Sequence, residues 1–238
     1  MPHAKYKRIL IKISGEQLAG KFDFGVDPDM AHYLALEIKK VVKLGVDIVI
    51  IVGGGNMVRG AQIARKGIKR VTADQMGMLS GLINSMILTD IFESEGLKVR
   101  CLSNVFADQI AEPYSYRRAI KHLESGRVVI IAGGTARPYF SHDTAAVSFA
   151  LELDADLVLK ATKVDGVFDK DPKKYKDAQK LDSITFEQAL SNSKIAVMDK
   201  AALGLAMEQN KPIIVFNPLE KDNILNVLLR GDVGTLIN

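Results

Sequence analysis

The segment DIVIIVGGGN, residues 47–56, is a run of branched aliphatic residues that ends abruptly in three glycines and an asparagine. A strand without polar alternation is typical of a parallel sheet whose two faces are both covered by helices. Five more segments have this aliphatic character and are predicted strands: Arg8–Ser14, Val99–Ser103, Arg127–Gly133, Asp156–Ala161 and Pro212–Asn217. The sequence therefore predicts a mostly parallel central sheet.

Segments with helical periodicity separate these strands. Asp27 and Pro28 are residue types preferred at the N-cap and the first position of a helix, and Gly45 ends the pattern that follows. The predicted helices are Met30–Leu44, Thr72–Glu95, Ser115–Glu124, Thr144–Leu153, Phe186–Leu190, Met198–Gln209 and Ile224–Leu229. Strands that alternate with helices indicate an α/β three-layer sandwich. We expect all 238 residues to form one domain.

The composition is that of an ordinary globular protein. Hydrophobic residues make up 47% and charged residues 25% of the chain, which excludes disorder. No aliphatic run approaches the length of a membrane span, and Lys12 interrupts the apolar stretch that would form a signal-peptide core. Cys101 is the only cysteine, which excludes a disulfide framework. We therefore expect a cytoplasmic enzyme or binding protein without a membrane partner.

The net charge of +4 is modest for a chain of 238 residues. The densest group of lysines, residues 170–180, also contains Asp171 and Asp177, which favours a solvated loop over a surface for nucleic acid. We therefore predict no nucleic-acid partner.

Ligands of parallel α/β sheets bind at the carboxyl ends of the strands, so the residues after each strand are the functional candidates. Gly53–Gly55 would let backbone N–H groups approach an anion, which favours phosphate binding over a plain tight turn. Gly54→Val is accordingly expected to abolish nucleotide binding while leaving the fold largely intact. Lys12, inside an aliphatic strand, is interpreted as a phosphate-binding cation, with a snorkelling surface lysine as the alternative.

Other strand ends carry polar groups with two possible roles each. Lys160–Phe168 offers hydrogen-bond donors and a cation to a nucleotide, and Phe168 is either a contact for a base or a core residue. Asp143 follows a polar and aromatic loop and is either functional or the N-cap of the next helix. Asp74, near a helix start, is either functional or a residue whose negative charge complements the helix dipole. No second histidine lies at ligand spacing from His142, so no protein-bound metal is predicted.

The motifs KISG, GGGNMVRG, DQMGML and ATKVDGVFDKDP follow one another in this order along the chain. Together they resemble the amino acid kinase superfamily and, within it, the bacterial-type uridylate (UMP) kinases. The resemblance runs from Arg8 to the closing Gly234–Ile237. It implies transfer of the ATP γ-phosphate to UMP, with Mg²⁺ accompanying ATP, as a step of pyrimidine nucleotide biosynthesis in the cytoplasm.

The resemblance also implies particular site residues. ATP binding is expected from Lys12, Ile13, Ser14, Gly15, Gly55, Arg59, Thr162, Phe168 and Asp171. UMP binding is expected from Gly54, Asp74, Thr135, Ala136, Arg137, Pro138, Tyr139, Phe140, Ser141 and His142. Lys12 and Lys163 would offset charge on the transferring phosphoryl group, and Asp143 and Asp199 would orient these lysines. Helix capping explains Asp199 equally well.

The same resemblance implies regulation and assembly. Members of the family commonly form hexamers built as trimers of dimers, and many are activated by GTP and inhibited by UTP. The segment linked to GTP activation corresponds here to Gly20, Lys21, Phe22, Asp23, Phe24 and Gly25.

Residues Gly134–Asp143, called the acceptor loop here, read GTARPYFSHD where the family pattern is G-T-G-N-P-F-F-T-T-D. Ala136, Arg137 and His142 are the changes in the part that the resemblance implies to read the uracil. We expect the His142 imidazole to contribute a contact to UMP that depends on protonation between about pH 5 and 8.

Three alternative functions stay open. A superfamily kinase for a small carboxylate or carbamate shares the lysines and glycines. A nucleotide-sensing regulator would bind without phosphoryl transfer, and Lys12 and Lys163 disfavour it. A dinucleotide-dependent oxidoreductase is disfavoured because Val58 replaces the third glycine of G-x-G-x-x-G, and the Walker pattern is also absent from the sequence.

Overall fold

The computed structural model describes residues 5–59, 67–170, 172, 174–192 and 197–238, and in this part of the chain strands alternate with helices. The strands are β1 (Arg8–Ile13), β2 (Asp47–Val52), β3 (Val99–Ser103), β4 (Glu112–Pro113), β5 (Val128–Ala132), β6 (Leu157–Ala161), β7 (Val167–Phe168), β8 (Lys180–Leu181), β9 (Ser183–Ile184), β10 (Ile213–Phe216) and β11 (Thr235–Ile237). The helices are α1 (Gly15–Leu18), α2 (Pro28–Val42), α3 (Arg70–Ser94), α4 (Tyr116–Glu124), α5 (His142–Glu152), α6 (Phe186–Ser191), α7 (Lys200–Glu208) and α8 (Asn223–Leu229).

The central sheet has nine strands within the described residues, in the order β4-β3-β5-β2-β1-β6-β10-β11-β9, and β7 pairs with β8 in a separate hairpin. Within the sheet, the β10–β11 pair is antiparallel and the other neighbouring strands are parallel. The predicted parallel sheet and its six predicted strands are therefore confirmed. The strands that the sequence analysis missed have only two or three residues, which is too short for a periodic pattern.

Different helices cover the two faces of the sheet. Helices α2, α3 and α8 pack on the face that carries Ile9, Ile11 and Ile13 of β1. Helices α4 to α7 pack on the opposite face, which carries Leu10. Because side chains alternate along a strand, Lys12 projects to the same face as Leu10. The three-layer α/β sandwich is confirmed, and its layers direct Lys12 toward the helices of the second face.

The predicted helices are present, with ends that differ by one or two residues. The start of α2 follows the prediction, because the Asp27 carboxylate accepts a hydrogen bond from the Asp29 backbone N–H at 3.1 Å. The start of α5 requires a correction. Its N-cap is Ser141, whose Oγ accepts hydrogen bonds from the backbone N–H groups of Asp143 and Thr144 at 2.9 and 3.2 Å. Asp143 is therefore a residue of the first turn and not the cap.

Two glycines precede β11 and differ in the space around them. Gly234 has a φ of +82°, and a Cβ atom there would lie 2.4 Å from the Val215 carbonyl oxygen; Gly231 has a φ of +77° with open space around it. Alanine at either position incurs backbone strain of about 1–2 kcal/mol, and at Gly234 it adds a clash. We expect Gly234→Ala to lower the free energy of unfolding by about 2 kcal/mol more than Gly231→Ala. Urea denaturation followed by circular dichroism measures this difference, and equal losses would contradict the proposed steric cause.

Candidate active site

Two lysines on adjacent strands share one carboxylate near the carboxyl edge of the sheet. Lys12 on β1 and Lys160 on β6 are register partners, so both side chains project to the same face. The Lys12 Nζ lies 2.9 Å from Asp143 Oδ1, and the Lys160 Nζ donates a hydrogen bond to Asp143 Oδ2. The exposed fractions of the three side chains are only 12%, 11% and 13% in the order Lys12, Lys160, Asp143. We refer to these three residues as the lysine–aspartate cluster.

The electrostatics of the lysine–aspartate cluster favour an anionic ligand. Burial raises the pKa of the Asp143 carboxyl, but the positive charges of Lys12 and Lys160 outweigh this effect and hold the pKa below its ordinary value. Burial, followed by the charge of Lys12, lowers the pKa of the Lys160 ammonium, although Asp143 opposes this change. Two cations and one anion leave a net positive charge in a poorly hydrated position, where it acts strongly on a phosphoryl group.

Lys160 is a functional candidate that the sequence analysis missed. The resemblance pairs Lys12 with Lys163, whereas the structure places Lys12 beside Lys160. Lys163 lies after the end of β6 and is exposed. A signal for Lys160 was present, because it interrupts an aliphatic strand just as Lys12 does. The period of two along β6 then places Lys160 on the face opposite to Leu159, where Lys12 also projects.

A first cavity adjoins the lysine–aspartate cluster and is called the donor cavity here. Its volume is about 320 Å³, and it is lined by Lys12, Ser14, Glu16, Gln17, Lys160, Ala161, Thr162 and Lys163. Gln17 joins α1 to the end of β6, because its Nε2 donates a hydrogen bond to the Thr162 carbonyl oxygen at 3.0 Å. Its Oε1 accepts a hydrogen bond from the Ser14 backbone N–H at 3.0 Å. The turn after β1 is thereby held beside Thr162.

Some of the other residues expected to bind ATP lie at the donor cavity and others do not. Arg59 lies beside the donor cavity, where its Nη2 is 2.7 Å from Glu16 Oε1. Ile13 has its side chain in the hydrophobic core, so only its backbone is available to a ligand. Phe168 is half-buried in β7 opposite Lys180, and it is not among the residues that line the donor cavity. Asp171 lies outside the described residues.

A second cavity, called the acceptor cavity here, has a volume of about 390 Å³. Residues Gly53–Asn56 are called the glycine loop here. The cavity is lined by Gly54 and Gly55 of this loop, Val58, the first turns of α3, residues 139–142 and Asp199. Asp74 connects two of these walls. Its Oδ1 accepts a hydrogen bond from Arg70 Nε at 2.7 Å, and its Oδ2 accepts one from the Tyr139 backbone N–H at 2.8 Å. Asp74 therefore holds the acceptor loop against α3 in addition to facing the cavity.

The acceptor loop contributes its second half to this cavity. Tyr139, Phe140, Ser141 and His142 line the cavity together with Gly54 and Asp74, as expected for one binding site. Thr135, Ala136, Arg137 and Pro138 are not among the lining residues. The Thr135 hydroxyl oxygen instead accepts a hydrogen bond from the Arg137 backbone N–H at 3.3 Å.

Of the two roles that the sequence leaves open for Asp199, the structure shows helix capping, together with further contacts. It caps α7 by accepting a hydrogen bond from the Ala202 backbone N–H at 2.9 Å, and it also lines the acceptor cavity. Its carboxylate accepts further hydrogen bonds from the hydroxyl groups of Ser141 and Thr144, the latter at 3.0 Å. Because Ser141 and Thr144 flank Asp143, these contacts fix the start of α5. Asp199 is thus placed to position Asp143.

His142 lies in the wall of the acceptor cavity, but its titration differs from the sequence expectation. Its Nε2 atom is buried and has no hydrogen-bond partner among the described residues. Burial, followed by the charge of Lys12, lowers the pKa of His142 to about 4. At this pKa the imidazole is mainly neutral above about pH 5, which argues against the expected dependence on protonation between pH 5 and 8.

The segment Gly20–Gly25 forms an exposed turn between α1 and α2. Its last residue is bound to the glycine loop, because the Gly25 carbonyl oxygen accepts a hydrogen bond from Asn56 Nδ2 at 2.6 Å. Asn56 in turn exchanges side-chain hydrogen bonds with Asn84 of α3 at 2.8 and 3.0 Å. This segment, the glycine loop and α3 are therefore joined by one polar network.

Residues 7–217 match the model that describes the amino acid kinase family. The chain belongs to this family. A uridylate kinase from a Sulfurovum species is 49% identical over 229 residues, which are 96% of this chain and 97% of that protein. A uridylate kinase from Sulfurimonas denitrificans is 46% identical over 228 residues, which are 95% and 96% of the two chains.

A solved structure agrees with these relatives. The crystal structure of UMP kinase from Bacillus anthracis matches with a TM-score of 0.93 and 39% identity, covering 98% of this chain and 96% of that chain. The family resemblance predicted from the four sequence motifs is confirmed.

Among the described residues, no helix has both the length and the apolar character that crossing a membrane requires. The described residues also contain no group of three or more His, Cys, Asp or Glu side chains arranged to hold a metal ion.

The glycine loop of this amino acid kinase has one glycine that packs and one that faces open space. A Cβ atom at Gly54 would lie 2.5 Å from Ser80 Cβ and 2.6 Å from the Gly77 carbonyl oxygen of α3. A Cβ atom at Gly55 would meet nothing closer than the Glu16 side chain at 3.7 Å. Gly54 is therefore needed for packing, and the expectation that Gly54→Val leaves the fold largely intact is wrong.

This difference gives a matched pair of variants. We expect Gly54→Ala to lower the free energy of unfolding by about 2–3 kcal/mol, because the backbone of α3 leaves no space for a methyl group. We expect Gly55→Ala to keep stability within about 0.5 kcal/mol and to weaken nucleotide binding about tenfold by blocking close approach of a phosphate. Urea denaturation and titration calorimetry measure the two effects. A stable Gly54→Ala protein would contradict the packing role.

Proposed function

We propose that this protein transfers the γ-phosphoryl group of ATP to UMP and forms ADP and UDP, a step of pyrimidine nucleotide biosynthesis. The observation that carries the proposal is the lysine–aspartate cluster. Its two lysines line the donor cavity, and His142, the neighbour of Asp143, lines the acceptor cavity. The cluster therefore lies where a donor and an acceptor phosphate would meet. Near-full-length identity of 46–49% to proteins named uridylate kinase supports UMP as the acceptor.

The chemistry requires positioning and charge neutralisation more than proton transfer. A phosphate oxygen of UMP is already an anionic nucleophile, so no general base is needed. It attacks the γ-phosphorus of ATP in line, and the bond from that phosphorus to the bridging oxygen breaks as ADP leaves. Holding both phosphates near the cluster makes this a reaction between fixed groups.

Each catalytic residue has a distinct role in this proposal. Lys12 and Lys163 stabilise the charge on the transferring group, and Lys160 adds a buried cation beside Lys12. Asp143 holds Lys12 and Lys160 in place and prevents their mutual repulsion from separating them. Asp199 is a positioning residue, because it acts on Asp143 through Ser141 and Thr144.

We propose that Mg²⁺ arrives with ATP and is bound mainly by the phosphate oxygens of ATP. The described residues do not offer a ready set of metal ligands, since Asp143 is engaged by two lysines and Asp199 by two hydroxyl groups and a backbone N–H. The ion would contribute charge neutralisation at the transferring phosphate.

Assembly and regulation are further parts of the proposal. We propose one domain over residues 1–238 that assembles into a homohexamer in the cytoplasm, with GTP as activator and UTP as inhibitor. A row of exposed apolar residues on α3, Leu79, Ile83 and Met86, supports association between chains. The polar network from Gly25 through Asn56 offers a physical connection between the GTP segment and the glycine loop.

Substitution of the lysines tests the catalytic roles. We expect Lys12→Ala, Lys160→Ala and Lys163→Ala each to reduce kcat about 100-fold or more while changing the KM for UMP much less, because these charges act mainly in the transition state. The exposed Lys43→Ala is the control and should retain full activity. A coupled ADP-release assay gives both constants. Near-normal kcat in any of the three variants would remove that lysine from the mechanism.

A panel of acceptors tests the substrate. We expect ATP consumption with UMP, slower turnover with CMP, and none with glutamate, aspartate or carbamate, because a site built to hydrogen-bond one base leaves buried groups unpaired with another. Turnover of a small acid in place of UMP would favour the alternative superfamily kinase. Nucleotide binding without turnover of any acceptor would favour a sensing regulator, and equal use of UMP and CMP would contradict selectivity for uracil.

A further inference from the structure

Thr235, the first residue of β11, is a fully buried polar residue that bonds to both strands of the β7–β8 hairpin. Its Oγ1 accepts a hydrogen bond from the Val167 backbone N–H of β7 at 2.8 Å. The same hydroxyl group donates a hydrogen bond to the Leu181 carbonyl oxygen of β8. Val167 and Leu181 are paired with each other across the hairpin. One hydroxyl group therefore attaches both strands of the hairpin to the last strand of the central sheet.

The absence of a side chain at Gly166 allows the hairpin to approach β11 this closely. A Cβ atom at Gly166, which directly precedes β7, would lie 2.5 Å from Thr235 Oγ1 and 3.3 Å from the backbone of Gly234. Atoms that are not hydrogen-bonded do not approach to 2.5 Å, so a methyl group here would move β7 away from the hydroxyl. The hydrogen bond from Val167 thus depends on Gly166 as well as on Thr235.

The hairpin follows directly on a wall of the donor cavity. Thr162 and Lys163 line this cavity, and Val164–Gly166 is the whole of the chain between Lys163 and Val167. The cavity end of this short stretch is held by β10, because the Thr162 backbone N–H donates a hydrogen bond to the Phe216 carbonyl oxygen at 2.9 Å. The hairpin end is held by the hydroxyl group of β11. The stretch that leaves the donor cavity is therefore anchored at both ends to the C-terminal strands.

We propose that Thr235 is a positioning residue for the donor nucleotide, whose hydroxyl group holds the β7–β8 hairpin where Phe168 contacts ATP. The inference rests on the proposed function, in which ATP is the donor, and on the ATP contact that the family resemblance implies for Phe168. Phe168 directly follows Val167 in β7, so the hydrogen bond from the Val167 N–H fixes the backbone next to the contacting side chain.

The physical consequence concerns ATP and not UMP. Without the hydroxyl group, the Val167 N–H would be buried without a partner whenever the hairpin is in place, which is costly. The hairpin would then leave this position in part of the molecules, and the apparent affinity for ATP would fall in proportion to the remaining fraction. None of the described hairpin residues lines the acceptor cavity, so the affinity for UMP should not follow this change.

Two substitutions of Thr235 that differ in one group test the role. Thr235→Val keeps the shape of the side chain and removes the hydroxyl, whereas Thr235→Ser keeps the hydroxyl and removes a methyl group. We expect Thr235→Val to raise the KM for ATP about tenfold, with the KM for UMP and kcat within about twofold of the wild type. Thr235→Ser should keep the KM for ATP within about threefold. The control is Thr89→Val, which removes a hydroxyl that bonds to the Ser85 carbonyl oxygen within α3.

A third variant displaces the hairpin and leaves Thr235 itself unchanged. We expect Gly166→Ala to raise the KM for ATP about tenfold as well, because the methyl group competes with the Val167 N–H for the space beside the hydroxyl. Its control is Gly231→Ala, where a methyl group meets open space and both KM values should stay as in the wild type. This pair decides the question even if Thr235→Val does not fold.

Hydrogen exchange followed by mass spectrometry separates positioning from a general loss of stability. In Thr235→Val and Gly166→Ala, exchange of the hairpin amides should be about tenfold faster than in the wild type, while exchange in β1, β2 and β5 stays unchanged. Saturating ATP should restore the slow exchange. Faster exchange across the whole sheet, or an equal rise in the KM for ATP and UMP, would reduce Thr235 to a structural residue and overturn the inference.

The remaining outcomes are equally decisive. An unchanged KM for ATP in Gly166→Ala or in folded Thr235→Val would overturn the inference, and so would a Thr235→Ser protein as impaired as Thr235→Val. Absence of UMP turnover in the wild type would reject the proposed function, whereas calorimetric titration of the same variants with ATP would still decide the role of Thr235. Absence of ATP binding by the wild type would reject both.

Discussion

The pairing of Lys12 and Lys160 with the single carboxylate of Asp143 is the interaction on which the site depends. Like charges on neighbouring strands repel each other, and burial increases the repulsion. Removing Asp143 would leave two poorly hydrated cations without compensation. The arrangement requires β1 and β6 to be adjacent and in register, and α5 to begin directly above them. The N-cap Ser141 and its partner Asp199 meet the last requirement.

The glycine loop connects the site to the long helix α3. Gly54 packs against the backbone of this helix so closely that no Cβ atom fits, while Gly55 remains open. Asn56 extends the connection to Asn84 and to the turn that ends at Gly25. A movement of this turn would therefore act on the loop and helix that line the acceptor cavity. This gives the proposed activation by GTP a physical route through groups that are in contact.

The walls of the acceptor cavity are held together by polar contacts. Asp74 accepts hydrogen bonds from Arg70 and from the Tyr139 backbone N–H, and His142 forms part of the wall, whereas Lys12 and Lys160 line the donor cavity. The departures of this chain from the family loop pattern at Ala136 and Arg137 fall outside the cavity lining, whereas His142 falls within it.

The sequence alone determined the layers and the six longer strands, because aliphatic runs and helical periodicity are local signals that burial on two faces imposes. It also placed Lys12, the glycine loop and the second half of the acceptor loop at strand ends. Only the tertiary structure decided that Lys160 is the residue beside Lys12, since this depends on which strand lies next to β1. It also decided that Asp143 is bound by both lysines while Ser141 caps the helix. The lowered pKa of His142 follows from its burial and from the charge of Lys12. Gly81 of α3 and Lys12 of β1 are both distant from His142 in sequence, and only folding brings them near its ring.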